Sequence, residues 1–448
     1  MLSISEAEAR AAALIEAAKK AGADAADVLY VADASTGIQV RLGALEDVER
    51  SEGEEIGLRF FVGRRSASVS SSDLSRDALE ALVERAAAMA REAPEDDFAG
   101  LAPEDRLLKG PGVQIDGDDG GDPLPTELKA RAQAMEDVAR SAAGITNSEG
   151  AGVSAGRSVM ALATSHGFCR GYTTSGYSAS VSVIAGSGGG MQRDSASHSV
   201  RHWNDLDDPE VLGKLAAERT LARLNPAKLG SGSMPVVFDR RAGSSLIGHL
   251  IGAITGAAIA RKTSFLLGRE DERIFQPGIV IRDDPHRPRG LRSKPFDGEG
   301  LGTRPTDIVA DGRLTGWLLD SASARQLGLE PTGHAIRGVT GSPGAGATNV
   351  ELRPGSLGKA ELIADIGRGI YVTELIGQGV NPITGDYSRG ASGFIIENGE
   401  IGASVAEITI AGNLIDMFST LTPADDLEYR RAVNVPTFRI EGMTVAGA

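Results

Sequence analysis

Cysteine and aromatic residues are scarce in this sequence. Cys169 is the single cysteine among 448 residues, so no disulfide can form within the chain and a reducing compartment is permitted. Aromatic residues make up 4% of the chain, whereas glycine occurs 58 times. This composition favours close packing and many turns, but it indicates no particular activity. The length allows two or three domains with a sizeable core.

Basic residues are fewer than acidic residues, at 46 against 61. The formal net charge is −15 and the sequence pI is about 5.0. An acidic surface repels phosphate backbones, which disfavours a nucleic-acid-binding role. The first residues, MLSISEAEARAAALIEAAKKAGA, predict an amphipathic helix and lack the basic start and apolar run of a signal peptide. We therefore expect a cytoplasmic protein.

One long uncharged stretch with helical apolar spacing occurs at residues 242–260 (AGSSLIGHLIGAITGAAIA). Gly248, Gly252 and Gly256 recur there at four-residue spacing, which is typical of one face of a helix. Small residues at this spacing can mark a transmembrane helix. The hydroxyl groups, the histidine and the absence of a second such stretch favour a buried helix in a soluble domain. In that case, tight packing is expected to compensate for the low helix propensity of glycine.

Apolar periodicity and turn residues predict an α+β protein in which a helix, several strands and a second helix occur twice before residue 225. The predicted helices are 3–21, one capped by Ser72 or Asp73 and ending near Arg91, 126–143 and 209–224. The predicted strands are 27–31, 37–42, 55–62, 66–70, 158–163, 168–174, 177–185 and 192–200. The predicted domains are an N-terminal α+β unit (1–92), an extended acidic and proline-rich connector (93–125), a central α+β unit (126–225) and a β-rich C-terminal domain (235–448).

The C-terminal domain is expected to contain the small-residue helix and mostly strands. Asn398-Gly399 suits a type I′ turn, which predicts a hairpin over 394–403, followed by a strand at 405–411. Residues 360–376 are predicted to form the main helix of the remaining region.

Sequence motifs for known catalytic sites are absent or out of context. None of the six histidines is followed by glutamate, which excludes zinc-protease motifs that begin with His-Glu. A G-x-S-x-G string at 152–156 lacks the preceding strand and following helix that a serine nucleophile needs, so we interpret it as a chance match. No phosphate-binding glycine motif is present.

Isolated histidines offer weak support for a metal site. His198 and His202 fall in a predicted strand, where four residues span roughly 13 Å, so they are expected to be solvated rather than to share an ion. His249 lies in the small-residue helix, where a core histidine bonded to a backbone carbonyl is the expected state. Cys169 is expected to be an inert, partly buried thiol.

Two turns carry carboxylates that could do chemistry. Asp297 and Glu299 occur together in FDGEG, and Asp386 ends Thr384-Gly385-Asp386. Paired carboxylates can act as acid and base or bind a metal, although aspartate in a turn more often accepts hydrogen bonds from its own backbone. With His249, these residues are the candidates for a cavity. The residues alone reveal no recognisable catalytic constellation.

Strings spread over most of the chain are similar to one family, the TldD/PmbA family, once named modulators of DNA gyrase. They are GLRFFVGRRSASVSSSDLS (57–75), AAAMAREAPEDD (86–97), MPVVFDRRAGSSLIGHLIGAITGAAIARKTSFL (234–266), FDGEGLGTRPT (296–306), GWLLDSASARQLGLEPTGHAIRG (316–338), NPITGDYSRGASGFIIENGEI (381–401) and VAEITIAGNLIDMF (405–418). Within the family, the chain resembles the PmbA (TldE) branch.

The resemblance implies a zinc-dependent protease assembled from two related chains, TldD and TldE, that acts on peptides or unfolded polypeptides. In that family the TldD chain carries H-E-x-x-x-H on the equivalent helix, plus a later cysteine ligand. The corresponding positions here are Ile247, Gly248 and Gly252, with His249 out of register, and no cysteine follows Cys169. The resemblance therefore implies a subunit without catalytic residues, metal ligands or cofactor of its own, whose TldD-like partner holds the zinc. The acidic charge and the absence of a second apolar stretch predict no nucleic-acid or membrane partner, and a homodimer is possible when the chain is alone.

Two other functions remain open at this point. The chain could be a non-enzymatic regulator that binds gyrase or a gyrase-linked peptide, as the older family name suggests. It could also be an autonomous hydrolase that uses the carboxylates of Asp297, Glu299 or Asp386.

Overall fold

The structure is a computed structural model that describes residues 1–447. The helices of its N-terminal half are α1 (Ile4–Lys20), α2 (Arg76–Glu92), α3 (Pro125–Ser141) and α4 (Pro209–Ala222). The strands of this half are β1 (Ala25–Arg41), β2 (Ala44–Val62), β3 (Arg65–Ser71), β4 (Ile145–Thr164), β5 (Cys169–Ala185) and β6 (Gln192–Val200).

These strands form one antiparallel sheet in the order β3-β2-β1-β4-β5-β6. Helices α1 and α2 bury their apolar stripes against β2, β3 and one end of β1 and β4. Helices α3 and α4 pack in the same way on β5, β6 and the other end of the long strands. The repeated helix–strand–helix pattern thus corresponds to two halves of a single sheet, and the prediction of an α+β fold is confirmed.

Several predicted boundaries in this half are wrong. Residues 27–31 and 37–42 belong to one strand, because β1 continues through the polar residues between them with its partners on both sides. The string at 152–156 lies inside β4 rather than after a turn. Helix α2 begins later than predicted, since Ser75 accepts the capping hydrogen bond from the Ala78 amide.

The C-terminal half begins after residue 230. Its helices are α5 (Arg240–Ala253), α6 (Gly256–Ala260), α7 (Ser321–Leu327), α8 (Lys359–Ile363) and α9 (Leu414–Thr420). Its strands are β7 (Gly232–Phe238), β8 (Ile281–Asp283), β9 (Thr306–Ala310), β10 (Arg313–Leu314), β11 (Ala335–Ile336), β12 (Gly344–Ala345), β13 (Val350–Leu352), β14 (Arg368–Ile376), β15 (Asp386–Glu397), β16 (Glu400–Asn413), β17 (Thr422–Pro423), β18 (Val433–Asn434) and β19 (Phe438–Ala446).

The main C-terminal sheet has the order β16-β15-β14-β7-β19-β17, and β16 also pairs with β19. Because β16 and β19 lie at the two ends of the run β16-β15-β14-β7-β19, this extra pairing closes these five strands into a ring. A second sheet has the order β10-β9-β8-β13-β18. The largest apolar cluster of the protein contains residues from both sheets and the inner face of α5. The position of α5 is therefore fixed by the C-terminal core.

The predicted helix at 360–376 is wrong, whereas the predicted hairpin is confirmed. Only Lys359–Ile363 is helical, and Arg368–Ile376 is strand β14, hydrogen-bonded to β15 on one side and β7 on the other. Gly367 and Gly369 weaken a helix here, and pairing on both sides decides the conformation. In the hairpin, Asn398 and Gly399 have φ of 52° and 80°, as a type I′ turn requires.

The small-residue stretch forms two helices rather than one. Helix α5 ends at Ala253, and α6 begins at Gly256 after a break at Ile254 and Thr255. The amide of Leu318 donates to the carbonyl of Ile254 at 2.9 Å, and the amide of Gly256 donates to the carbonyl of Leu318 at 2.8 Å. A neighbouring segment therefore satisfies the backbone at the break. Within residues 1–447, the structure has no helix of sufficient length and hydrophobicity to span a membrane.

Two glycines of α5 give a matched stability prediction. A Cβ at Gly243 would lie 2.4 Å from Cε1 of Phe438, whereas a Cβ at Gly248 would meet nothing within 4 Å in the described residues. We expect Gly243→Ala to lower the free energy of unfolding by about 1–3 kcal/mol, because the clash forces a shift in the core. Gly248→Ala should raise it by about 0.5–1 kcal/mol through helix propensity. Urea unfolding of both variants tests the pair, and equal effects would contradict the packing described here.

Candidate functional site

The inner face of α5 is ordinary hydrophobic core. Leu246, Ile247 and Leu250 are each 0% exposed and belong to the main C-terminal cluster. Ile247 occupies the first position at which the resemblance implies a metal ligand in TldD. Its side chain packs among apolar neighbours, so this position serves packing here.

The outer face of α5 is open. Gly248 and Gly252 are exposed, and no described atom lies within 4 Å of where a Cβ would stand on either residue. The expectation that tight packing compensates for all three spaced glycines is therefore wrong for these two. It holds for Gly256, where a Cβ would lie 2.2 Å from the Oγ of Ser323. The result is a bare strip of helix backbone on the surface.

Three buried polar groups without partners lie beside this strip. His249 is half-buried, and its ring meets that of Tyr387 edge-on with centroids 6.2 Å apart. The Nε2 of His249, the hydroxyl of Tyr387 and the Nε of Arg389 have no hydrogen-bond partner among the described residues. The expectation that His249 bonds a backbone carbonyl through this nitrogen is wrong. We name these residues the His249 cluster.

The charge state of the His249 cluster follows from its surroundings. Burial, followed by the positive charge of Arg389, lowers the pKa of His249 below its ordinary value. Burial also raises the pKa of Tyr387 to about 12. At neutral pH the cluster thus presents a neutral imidazole and a neutral phenol, with Arg389 as its cation. It can bind hydrogen-bonding groups, but it holds no carboxylate.

Asp386 lies on the same strand as the cluster but does not join it. Its carboxylate accepts hydrogen bonds from the Thr384 hydroxyl at 2.7 Å and from the Asn413 amide at 3.2 Å. These two bonds lower the pKa of this exposed carboxyl. Asp386 therefore fixes the local turn.

Asp297 and Glu299 are buried structural carboxylates. Asp297 accepts from the amides of Glu299 and Leu301 at 2.9 Å each and from the Ala335 amide at 3.1 Å. Glu299 accepts from the amide and hydroxyl of Ser321 at 2.9 and 2.7 Å, at the start of α7. The two carboxylates are 1% and 4% exposed, so they hold the fold together rather than face a cavity.

Burial governs the pKa of both carboxyls. It raises the pKa of Asp297, opposed by Lys294 and by the three amide hydrogen bonds. Burial and then the negative charge of Asp297 raise the pKa of Glu299 to about 7. The causes of these shifts are burial and local contacts, and no residue of the His249 cluster is among them.

The other histidines and the cysteine considered in the sequence analysis lie outside the His249 cluster. His198 Nδ1 lies 3.2 Å from Asp207 Oδ1, with the histidine side chain 11% exposed, so the expectation of a solvated residue is wrong. His202 Nε2 lies 3.3 Å from Asp116 Oδ1. Cys169 is half-buried, and burial raises the pKa of its thiol, which agrees with an inert cysteine.

The residues on α5 do not fit a zinc ion. Ile247, Gly248 and Gly252 offer no donor atom, and His249 is a single ligand facing the cation of Arg389. No group of three or more His, Cys, Asp or Glu side chains that could hold a metal occurs anywhere in residues 1–447. A protein zinc site requires three or four such ligands.

Sequence reasoning missed Tyr387 and Arg389. They are buried at alternate positions of β15, and Tyr387 lies 138 positions after His249 in the sequence. The alternation in DYSRGAS is a signal for a strand with one buried face, but it does not reveal which helix covers that face.

Family models match the chain in three consecutive segments. They are described as PmbA/TldA metallopeptidase domain 1 (residues 26–90), central domain (118–224) and C-terminal domain (231–447). Among curated proteins, the chain is similar to Metalloprotease PmbA of Escherichia coli O157:H7, at 38% identity over 99% of this chain and 98% of that protein. It is also similar to a Metalloprotease PmbA homolog of Haemophilus influenzae, at 36% identity over 97% of this chain and 94% of that protein.

Solved structures show the same fold. A putative modulator of DNA gyrase from Bacteroides thetaiotaomicron superposes with a TM-score of 0.92 and 27% identity, covering 100% of both chains. TldE from Thermococcus kodakarensis has a TM-score of 0.87 and 21% identity, covering 98% of this chain and 100% of that one. Taken with the family matches over most of the sequence, these findings show that the chain belongs to the PmbA/TldD metallopeptidase family, in its PmbA (TldE) branch.

Proposed function

We propose that this chain is the metal-free partner subunit of a heteromeric TldD/TldE zinc metalloprotease that cleaves peptides or unfolded polypeptides. The observation that carries the proposal is the set of residues at three positions of α5. At the positions where the resemblance implies metal ligands in TldD, this chain has a core isoleucine at 247 and open glycines at 248 and 252. The helix keeps its place in the fold but has no donor side chain at these three positions, so the zinc belongs to a TldD-like partner.

The open strip of α5 is suited to contact with another chain. Gly248 and Gly252 let a backbone approach the helix closely, and the His249 cluster beside them has unpartnered buried polar atoms. Leaving such an atom unsatisfied costs about 1–3 kcal/mol, which a hydrogen bond from an incoming chain would offset. We infer that this surface completes a protected cavity around the partner's zinc.

The substrate is expected to bind in an extended conformation. The N-terminal sheet ends in strands β3 and β6, whose outer edges have no neighbouring strand in the described structure. A peptide added to such an edge is recognised mainly through its backbone, which suits substrates of varied sequence. Peptides and unfolded chains offer free extended segments along their whole length, so they are the substrate class that this binding mode favours.

Reconstitution tests the proposal. The purified chain should hydrolyse an unstructured peptide negligibly, and adding a TldD-like subunit should give a complex that is active. Gly252→Phe should abolish assembly or hydrolysis while changing the free energy of unfolding of the isolated chain by no more than about 0.5 kcal/mol, because the position is open. Gly53→Phe is the matched control, since Gly53 on β2 is also open and lies away from α5.

Several results would contradict the proposal. Full activity of the complex carrying Gly252→Phe would show that the strip is not used. Chelator-sensitive hydrolysis by the isolated chain would assign the active site to this subunit. Stable binding to gyrase without any TldD-like chain would instead favour the regulatory role.

A further inference from the structure

A polar cavity of about 660 Å³ lies between the N-terminal sheet and the C-terminal half, away from the His249 cluster. Its volume falls within the range of small-molecule pockets. The arginines that line it are Arg219, Arg223, Arg240, Arg241, Arg430 and Arg431. The carboxylates that line it are Asp194, Asp239, Glu374 and Glu428. We name it the arginine cavity.

Most of these carboxylates form ion pairs with arginines of the cavity. Asp194 is shared by Arg241 at 2.9 Å and Arg223 at 3.4 Å, and Arg223 also contacts Glu374 at 2.5 Å. Asp239 caps α5 by accepting from the Arg241 amide at 2.8 Å. These ion pairs neutralise one side of the cavity.

Two guanidinium groups of the cavity form no ion pair with a carboxylate. Arg219 and Arg431 have no carboxylate within 4 Å among the described residues, in contrast to the other arginines of the cavity. Arg219 donates through Nη1 to the carbonyl of Ser195 at 3.0 Å, which satisfies one donor of five. Six arginines and four carboxylates line the cavity, and Asp426 and Asp207 outside its lining pair with Arg240 and Arg430, so Arg219 and Arg431 are the two lining arginines that lack a carboxylate partner.

The surroundings of Arg219 and Arg431 disfavour their positive charge. Burial, followed by the charge of Arg241, lowers the pKa of Arg219 to about 10. The same two causes lower the pKa of Arg431. Both groups stay charged at neutral pH, so an anion placed between them would relieve the repulsion from Arg241.

Strand β6 supplies one wall of the cavity. The amide of Ser195 donates to the Asp194 carboxylate at 2.7 Å and its carbonyl accepts from Arg219, so the Ser195 backbone faces away from β5. Because backbone direction alternates along a strand, Ser197 and Ser199 face outward in the same way. Both line the cavity. Their amides and carbonyls are available to an extended chain.

We propose that the arginine cavity binds the terminal carboxylate of an extended peptide that pairs with the outer edge of β6. A planar guanidinium matches a carboxylate in a two-bond arrangement, and Arg219 and Arg431 provide two such groups in the cavity that the outer edge of β6 lines. Inorganic phosphate shares the oxyanion chemistry, but it makes no use of the strand edge. The choice of a peptide as ligand rests on the proposed function.

Direct binding to the isolated full chain tests this site without the partner or hydrolysis, so its outcome is separate from that of the proposed function. Fluorescence anisotropy would compare a labelled, unstructured hexapeptide ending in a free carboxylate with the same peptide ending in an amide. We expect the amide to bind about tenfold or more weakly, since charge-assisted hydrogen bonds are lost. Arg219→Gln and Arg431→Gln should each reduce the binding of the acid peptide to a similar extent.

The controls make each result decisive. Arg76→Gln removes an exposed arginine of α2, 88% exposed at its side chain, and should leave binding unchanged. Arg431 is more exposed to solvent than Arg219, although its guanidinium is partly buried, so Arg431→Gln is expected to fold even if Arg219→Gln does not. Equal binding of acid and amide peptides, absence of binding, insensitivity to both arginine variants, or a site that binds inorganic phosphate but not the peptide would each overturn the proposal.

Discussion

Replacing Asp27 with asparagine is expected to lower the free energy of unfolding by about 3–5 kcal/mol. Asp27 is 2% exposed and contacts two arginines. Its Oδ2 accepts from Arg59 Nε at 3.0 Å, and its Oδ1 accepts from Arg337 Nη1 at 2.8 Å. Asp27 and Arg59 lie in the N-terminal sheet, whereas Arg337 comes from the C-terminal half. The substitution would leave two buried cations without a counter-charge and would weaken the junction between the halves.

Urea unfolding measures this effect, with Glu80→Gln as the control. Glu80 forms an exposed pair with Arg76 on α2, and losing it should cost less than about 1 kcal/mol. Burial alone would raise the pKa of Asp27, but Arg337 and Arg59 hold it below its ordinary value. The stabilisation is therefore present above the ordinary aspartate pKa and is lost as the pH falls through the lower folded value. If Asp27→Asn behaves like Glu80→Gln, the buried triad does not join the two halves.

Glu299→Gln is expected to remove a pH dependence of stability on the order of 3 kcal/mol between pH 4.5 and pH 8. Burial and the charge of Asp297 raise the pKa of Glu299 to about 7 in the folded chain. The unfolded chain releases this proton near the ordinary glutamate value. The contribution to stability is thus fully present below that value and is lost as the pH rises through about 7. Glutamine stays neutral, so the variant should be the more stable protein at pH 8.

Urea unfolding at several pH values, with Glu80→Gln again as the exposed control, measures the difference. A wild-type slope that persists in Glu299→Gln would assign the effect to another group. The same variant tests the autonomous hydrolase, because the Glu299 carboxylate contacts only Ser321 and other interior atoms and should not affect peptide cleavage. Loss of cleavage with unchanged stability would restore that alternative.

Features set by local chemistry were predictable from the sequence. The helix at 3–21 matches α1, where Ser3 and Glu6 form a capping box, and the Asn398-Gly399 turn specifies its own backbone angles. The family resemblance also follows from strings along the chain. These signals depend on residues that are close in sequence, so the three-dimensional neighbours do not alter them.

Features set by distant contacts were not predictable. Strand β14 resembles a helix in its apolar spacing, and only its pairing with β7 and β15 decides otherwise. Glycines at four-residue spacing predict a helix face of small residues, but the spacing does not show whether another segment packs on that face. Gly256 is tightly packed, whereas Gly252 at the same spacing is open. The arginine cavity collects residues from β6, α4, α5 and the segment before β18, and no one segment reveals it.

The central claim is that this subunit supports a zinc protease without holding the zinc. Metal analysis of the purified chain, alone and after co-purification with a TldD-like subunit, tests it most directly. We predict negligible zinc in the chain alone, and in the complex an amount of zinc that matches the TldD-like subunit and disappears when that subunit's ligands are replaced. One zinc ion retained per isolated chain, coordinated by side chains of this sequence alone, would contradict the account.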